Sequence, residues 1–422
     1  MTTARLEAAK RAVAVVFAVS GFAFASWVSR LPAVRDVLGM TPSALGTLLL
    51  AVALGSLPAM FLAGWLIERL GSRRACLTGV LVMASCLAFA STTPAVPVMA
   101  VALAVVGAGT GLCDVAMNVE GAGVERLLGR SVMPRFHAGY SLGTVAGASA
   151  GAVAAAGELS LVRHLGVVAA ISFVAVALAV PHFVGAEVWN WHPDGDQASP
   201  AAGPSAGNGP RGILAAWREP RTLLIGFVAL GAAFAEGTAN DWLALGLVDG
   251  YGVGHAVAAL GFAGLVGAMT LARMAAPAVL DRVGRVTAVR LCAVLVTVGV
   301  LTLQLGPTLL AVAGPAAALV PAVVGILAWG LGASLGFPLA MSAASDDPRH
   351  AAVRVSVVST IGYLAFIAGP PLLGLLGDSI GVLRATTGAG IAVLLSLVAA
   401  GAVRPPAPVP DARELVPAGR AG

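Results

Sequence analysis

Long apolar runs separated by short polar segments dominate the pattern along this chain. A helix needs about 20 mostly apolar residues to cross the hydrocarbon core of a bilayer. Twelve runs meet this requirement, so we expect an all-α membrane protein with twelve transmembrane helices. The predicted spans are 12–31, 44–66, 75–93, 97–119, 138–157, 164–184, 222–246, 255–277, 287–305, 318–342, 353–376 and 382–403.

Basic residues predict the orientation of these spans. Lys and Arg concentrate at the cytoplasmic ends of membrane helices. Here all of them fall at one set of span ends, except Arg30, Arg35, Arg163 and Arg384. We therefore expect a multi-pass protein of the inner (plasma) membrane with both termini in the cytoplasm. Residues 306–317 are expected to form a short outer loop.

The start of the chain admits two interpretations. Arg5, Lys10 and Arg11 precede an apolar run, as in a cleaved signal peptide. The run continues through Trp27 and Val28, however, and many spans follow. This favours a first helix that is retained.

Composition excludes several classes of protein. Hydrophobic residues make up 58% and charged residues 11% of the chain, whereas a soluble domain carries about 25% charge. The net charge of +5 does not indicate nucleic-acid binding, because the Arg residues are scattered between spans. We find no phosphate-binding loop, no nucleophile elbow and no metal-ligand spacing. We expect no enzymatic activity, no cofactor and no metal, and interpret the four cysteines as buried thiols.

A charged turn occurs twice between apolar spans. Its copies are Glu68-Arg69-Leu70-Gly71 and Asp281-Arg282-Val283-Gly284. Gly139-Tyr140 and Gly362-Tyr363, at the openings of the fifth and eleventh spans, form a second matching pair. Such repetition is typical of transporters built from two related halves.

A segment rich in Pro, Gly, Ala and Ser divides the chain between the two sets of six spans. We expect two pseudo-symmetric six-helix bundles, 1–184 and 221–404. Residues 185–220 would be a cytoplasmic linker and residues 405–422 a cytoplasmic tail.

Two carboxylates inside predicted spans are candidate functional residues, because a charged side chain within the membrane is energetically costly and usually has a function. Asp114 shares a helix face with Asn118 and lies about 24 Å from the outer edge of its span. It could bind substrate or a proton, or make a structural hydrogen bond or an ion pair with Arg126. Glu236 lies about 21 Å from the inner edge, with Asn240 one turn further on. It has no basic residue close in sequence, so it could carry protons or be a neutral structural residue.

Arg30 ends span one, and Asp241 lies near the outer end of span seven, the equivalent span of the other half, at similar depth. One hypothesis is that they pair in one access state and separate in the other. The alternative is that each simply reaches the outer interface.

Two further patterns have both structural and functional interpretations. Gly139, Gly143, Gly147 and Gly151 form a stripe that allows close helix packing, either static or at a surface where the two halves move. Charged residues also cluster after the fourth span, as a solvated loop or as an inner gate. They are Glu120, Glu125, Arg126, Arg130, Arg135 and His137.

The twelve spans, the linker and both charged turns resemble the major facilitator superfamily over nearly the whole chain. Residues 27–32 (WVSRLP) and 114–118 (DVAMN), with Gly362-Tyr363, resemble its MosC-like branch, which is associated with inositol-derived compounds. The resemblance implies that spans one, four, seven and ten line a cavity. It also implies that the charged turns act as conformational switches. Their residues are Gly64, Glu68, Arg69, Gly71 and Arg73, with Asp281, Arg282 and Gly284.

There are departures from the family pattern. The second charged turn has Pro277 at the position where the first has Gly64. The Arg that many family members have in span four is missing. Span five lacks the Gly-Pro pair typical of drug/proton antiporters. The expected function is a monomeric secondary transporter that works by alternating access. It would be coupled to protons and move a small organic solute, such as a sugar or polyol. Efflux of an amphipathic drug or metabolite, and a non-transporting membrane sensor or scaffold, remain alternatives.

Overall fold

Two glycines in matching positions break the two longest helices. A computed structural model describes residues 2–129, 132–185, 215–347 and 350–405. In it, α3 (Pro42–Ala90) and α8 (His255–Ala313) each run through a charged turn. The backbone leaves helical geometry at Gly71 (φ 78°) and Gly284 (φ 72°), a conformation that glycine adopts without steric cost. Each of these helices therefore accounts for two membrane crossings. The predicted charged turns are places where the helix is interrupted at a single glycine.

The first half of the chain supplies six crossings. Its other elements are α1 (Thr3–Val28), α2 (Leu31–Leu38), α4 (Val96–Leu128), α5 (Met133–Ala156) and α6 (Leu161–Ala179), followed by the 3-10 turn Val180–His182. Several starts follow from sequence, since Pro is favoured at the first helical positions. Pro42 begins α3 behind the N-cap Thr41, for example.

The second half supplies six more crossings. Its other elements are α7 (Pro220–Tyr251), α9 (Pro315–Gly332), α10 (Gly336–Ala344), α11 (Ala351–Ile380), α12 (Val382–Ala385) and α13 (Thr387–Ser396), followed by the 3-10 segment Leu397–Val403. Within the described residues, nine helices are long and apolar enough to span a membrane. Two of them cross twice, and α5, whose glycines lower its hydropathy, adds the twelfth crossing. The predicted all-α fold with two six-helix bundles is confirmed.

Some predicted boundaries are wrong. The loop expected at 306–317 is mostly helix, because α8 continues to Ala313 and the chain turns at Gly314. The first span ends at Val28, before the unexpected α2. The tenth span is split between α9 and α10. Tyr363 lies well inside α11 rather than at its opening.

The linker and the tail were also predicted from sequence. Most of the linker, 186–214, and the tail beyond 405 lie outside the described residues. α1 begins at the same face of the molecule at which the 3-10 segment after α13 ends. We call this face the termini face, and both glycine breaks lie there. The face that carries α2 is the opposite face.

The glycine stripe of α5 packs within its own half. A side chain at Gly143 would lie 1.9 Å from the carbonyl oxygen of Ala18, and one at Gly147 would lie 2.2 Å from that of Phe22. Glycine is therefore required for the backbones of α5 and α1 to approach. The stripe is a static contact inside one bundle, not a surface between the halves.

Other helix pairs join the two halves: α3 packs against α11, and α5 packs against α8. Gly46 faces the carbonyl oxygen of Pro370, and Gly374 faces that of Pro42. These backbone contacts bring α3 and α11 together towards the opposite face.

Candidate functional site

An ion pair lies inside the membrane-spanning part of the second half. Arg273 Nη2 on α8 donates to Glu236 Oε1 at 3.1 Å and to Oε2 at 3.3 Å. Arg273 Nε also donates to the carbonyl oxygen of Ser334 at 3.1 Å. Ser334 lies in the break between α9 and α10, so that break provides an acceptor which orients the guanidinium.

The pair corrects the prediction that Glu236 is a lone carboxylate. The Arg273 and Glu236 side chains are 33% and 25% exposed, so neither is sealed in a core. Arg273 falls inside the predicted span 255–277. A charge within a span was the available signal, but Arg273 lies close to the basic residues of the following turn and was counted with them as cytoplasmic.

Groups from the first half face this pair. Tyr140 on α5 lies close enough to Asp114, Glu236 and Arg273 to interact with their charges. His137, on the same helix, is within electrostatic range of Arg273. Both halves thus contribute charged and polar groups to one region, where α5 of the first half packs against α8 of the second; we call this region the central gap. In the sequence, Tyr140 is distinguished only by the repeated Gly-Tyr pair.

Asp114 and Asn118 share a face of α4, as predicted. Asn118 Nδ2 donates to the backbone oxygen of Asp114 at 2.9 Å and approaches its Oδ1 at 3.4 Å. Asp114 is half-buried and forms no ion pair with Arg126 within the described residues. Tyr363 on α11, in the other half, lies within electrostatic range of Asp114. Asp114 therefore borders the central gap.

Arg30 and Asp241 are not paired in this conformation. Arg30 is 5% exposed and its Nη2 donates to the carbonyl oxygen of Leu159 at 2.7 Å. Its Nε and Nη1 have no acceptor among the described residues. Arg30 also lies within electrostatic range of His164, so it is directed into the first half. Asp241 and Asn240 are half-buried on α7.

The charged turn of the first half is tied to the end of α4. Ser72, directly after the Gly71 break, donates from Oγ to Glu120 Oε2 at 2.7 Å. Glu120 is fully buried and also accepts from the backbone nitrogens of Val184 and Gly185. The carboxylate therefore joins the turn, α4 and the chain after α6.

The second turn repeats this arrangement. Arg285, directly after the Gly284 break, donates from Nη1 to Asp346 Oδ1 at 2.6 Å. Arg221 Nη2 donates to Asp346 Oδ2 at 2.8 Å and to the carbonyl oxygen of Arg404 at 3.0 Å. A buried carboxylate after α10 thus joins the turn to the start of its half, and Arg221 extends the cluster to the end of that half. We call these two sets the turn clusters.

The remaining predicted switch residues lie around these clusters. Arg73 donates to the carbonyl oxygen of Phe183, and the Arg69 guanidinium lies 4.1 Å from the centre of the Trp65 ring. Gly64, Glu68, Asp281 and Arg282 are exposed.

Glu125, in the predicted charged cluster after span four, makes structural contacts. Glu125 accepts from the backbone nitrogens of Val132 at 2.6 Å and Met133 at 2.7 Å. It therefore caps the start of α5, a favourable place for a carboxylate. Arg130 lies outside the described residues, and His137 is exposed.

Polar contacts between the halves lie at the opposite face. Arg35 on α2 donates from Nη1 to Asp249 Oδ2 at 2.5 Å and from Nη2 to Oδ1 at 2.7 Å. The neighbouring Asp36 is 2.9 Å from His255 Nε2. The Ser43 backbone nitrogen, at the start of α3, donates to Asp378 Oδ1 at 3.2 Å. We call these three contacts the opposite-face latch.

The family model described as the Major Facilitator Superfamily matches residues 13–370. This chain belongs to the major facilitator superfamily. Among its relatives, the uncharacterized transporter y4wD of Sinorhizobium fredii is 31% identical over 381 residues, which cover 89% of this chain and 93% of the relative. The membrane protein MosC of Rhizobium meliloti is 26% identical over 393 residues, 93% of this chain and 87% of MosC. The predicted resemblance to this family and its MosC-like branch is confirmed, as is a multi-pass membrane transporter.

Solved structures share the fold. The nucleoside transporter NupG superposes with a TM-score of 0.69 at 15% identity, covering 93% of this chain and 98% of NupG. A bacterial homologue of the human lysosomal transporter Spinster, in an inward-facing and unoccupied conformation, has a TM-score of 0.72 at 13% identity. That match covers 96% of this chain and 98% of the homologue.

Proposed function

We propose that this superfamily transporter is coupled to protons and moves a small organic solute by alternating access across the plasma (inner) membrane. The solute would be polar, as a sugar or polyol is. The single chain would be the functional unit, because both sides of the central gap come from one chain.

The Glu236–Arg273 ion pair carries this proposal. Both side chains are partly exposed, so the carboxylate is not sealed from protons. Protonation removes the charge that binds Arg273 and frees the guanidinium for another acceptor. A ligand or proton that stabilises one arrangement more than the other shifts the conformational equilibrium.

The orientation proposed for the chain fits one access state. The Arg and Lys distribution supports cytoplasmic termini, so the latch would close the outer side. The central gap would then open to the cytoplasm between the turn clusters. In the outward-open state, Arg30 and Asp241 would be candidates to pair, since neither has an ion-pair partner within the described residues here. If a charge-swapped double variant worked no better than either single variant, this pairing would be rejected.

Proteoliposomes test the proposed coupling. Vesicles containing the chain and a pH-sensitive dye would be exposed in turn to sugars, polyols, amino acids and antibiotics. We expect one solute class to provoke proton movement. Glu236→Gln should abolish solute transport driven by a proton gradient and spare counterflow exchange, whereas Glu158→Gln, at an exposed loop carboxylate, should change neither.

Driven transport that survives Glu236→Gln would remove Glu236 from the coupling. A chain that binds a solute but never moves it would support a sensor or scaffold instead.

A further inference from the structure

Three aromatic rings lie in a row in the second half of the chain, with neighbouring planes tilted by 39° and 45°; we call this row the aromatic stack. The Tyr363 ring centre on α11 lies 6.3 Å from that of Phe337 on α10 and 6.1 Å from that of Phe366 on α11. All three side chains are half-buried. The stack therefore retains exposed ring surface in a part of the molecule where the helices are otherwise closely packed.

Glycines on neighbouring helix surfaces make room for the outer two rings. A side chain at Gly362 would lie 2.8 Å from Phe337 Cε2, and one at Gly237 would lie 3.4 Å from Phe366. Gly237 directly follows Glu236 on α7. The aromatic stack thus packs against the helix that carries Glu236.

Tyr363 is the ring that relates the stack to the first half. It lies within electrostatic range of Asp114 on α4, so the carboxylate belongs to the same neighbourhood as the aromatic rings. Aromatic faces offer a large, rigid contact area for another ring.

Asp114 differs from Glu236 in its partners. Glu236 is bound by Arg273, whereas no cation within the described residues pairs with Asp114. The amide of Asn118, 3.4 Å from Oδ1, is a weak contact. The Asp114 carboxylate thus retains free acceptor capacity for hydroxyl or amine donors.

We propose that Tyr363 and Asp114 set the substrate class: a solute with a ring that lies against Tyr363 and a hydroxyl or amine group that donates to Asp114. This rests on the proposed function and narrows it. An open-chain solute with the same polar groups lacks the flat surface and loses more conformational freedom on binding. The ring, not the number of hydroxyl groups, is then the feature that is selected.

Matched probes test the inference on the full-length protein in detergent. The pairs are methyl β-glucoside with sorbitol, uridine with ribitol, and tyramine with hexylamine, each measured by ligand-dependent thermal shift and titration. We expect at least one ring-bearing probe to bind, and its open-chain partner to bind about ten-fold more weakly or not at all.

Variants then assign the two contacts. For the probe that binds, Tyr363→Leu and Asp114→Asn should each weaken affinity about ten-fold, while Tyr363→Phe, which keeps the ring, should stay within about three-fold. Phe89→Leu is the matched control, because Phe89 is 53% exposed near the far end of α3, and it should bind as the unmodified chain does.

Three outcomes would overturn the inference: no ring-bearing probe binds, open-chain partners bind equally well, or Tyr363→Leu binds like Tyr363→Phe. If a variant fails to fold, the comparison of ring-bearing and open-chain probes on the unmodified chain still tests the inference. Transport of open-chain solutes would refute this inference and leave the proposed function intact. Ring-selective binding without transport would support this inference and refute the proposed function.

Discussion

Arg35 binds Asp249 through two parallel hydrogen bonds, and the two residues belong to different halves of the chain. Two-point pairing of this kind is among the stronger polar contacts in proteins. The hydrogen bond to Asp249 also raises the pKa of Arg35, so the guanidinium stays charged. The pair is therefore a direct link that must break when the opposite face opens.

The latch can be tested by removing one charge. Arg35→Gln should raise the population open at the opposite face about five-fold, since partly exposed pairs contribute up to about 1 kcal/mol. Spin labels at Val37 and Val257, which are exposed and lie in different halves, would report this as a longer distance. The charge-swapped double variant Arg35→Asp/Asp249→Arg should restore the closed distance. Unchanged distances in Arg35→Gln, matching the exposed control Arg163→Gln, would contradict the prediction.

The Glu236–Arg273 pair should show strong coupling in stability. Arg273→Gln leaves Glu236 without its cation and the Ser334 carbonyl without its donor, and should lower the free energy of unfolding by about 1–3 kcal/mol. The double variant Glu236→Gln/Arg273→Gln should cost less than the two single changes together, because no unpaired charge remains. Thermal unfolding in one detergent measures all three. Strict additivity would show that the two side chains act independently.

The two glycine breaks should be equally intolerant of a side chain. Gly71→Ala and Gly284→Ala should each destabilise the chain by about 1–3 kcal/mol, because the backbone there combines positive φ with extended ψ (155° and 167°), a region essentially restricted to glycine. No atom blocks a side chain at either site, so the cost would be purely conformational. Gly64→Ala is the control: it lies in helical backbone with open space around it and should be neutral or slightly stabilising. Equal effects at all three sites, seen by thermal unfolding, would disprove the explanation.

Acid should weaken the start of α7. Burial alone would raise the pKa of Glu219, but hydrogen bonds from Thr222 and Arg354 and the charges of Arg354 and Arg221 lower it below the ordinary 4.5. A carboxyl with a lowered pKa stabilises the folded state above its ordinary pKa, and this is lost as the pH falls through the lowered value. The melting temperature should thus fall between about pH 5 and pH 3.

Arg354→Gln tests the cause of this acid sensitivity. Arg354 binds Glu219 at two points, 2.7 and 2.8 Å. Its removal should make the decline in melting temperature shallower over the same range. An identical pH profile in Arg354→Gln would show that other groups cause the acid sensitivity.

Local pattern was enough to predict the twelve crossings and the positions of the kinks. A span is defined by its own apolar length, and Gly71 and Gly284 were recognisable because the same charged turn surrounds each of them. Asp114 and Asn118 were also predictable, since spacing along one helix fixes their common face.

Contacts between distant helices were not predictable in this way. Arg273 is 37 residues from Glu236, and Arg35 is 214 residues from Asp249. Which side chains meet depends on how α7, α8 and α2 pack, and no local pattern encodes that. Ser72 and Arg285 illustrate the same limit. They occupy matching positions directly after their glycines, yet Ser72 is neutral and Arg285 is charged. The sequence therefore does not reveal that each of them binds a carboxylate.

The turn clusters limit how far each half of the molecule can deform. Each buried carboxylate fastens three separate stretches of its own half at the termini face. Loosening any one of these stretches would cost a buried carboxylate one of its donors. Reorientation is therefore cheapest when each bundle travels as a stiff block, so the deformation during a transport cycle is concentrated in the seams where α3 meets α11 and α5 meets α8.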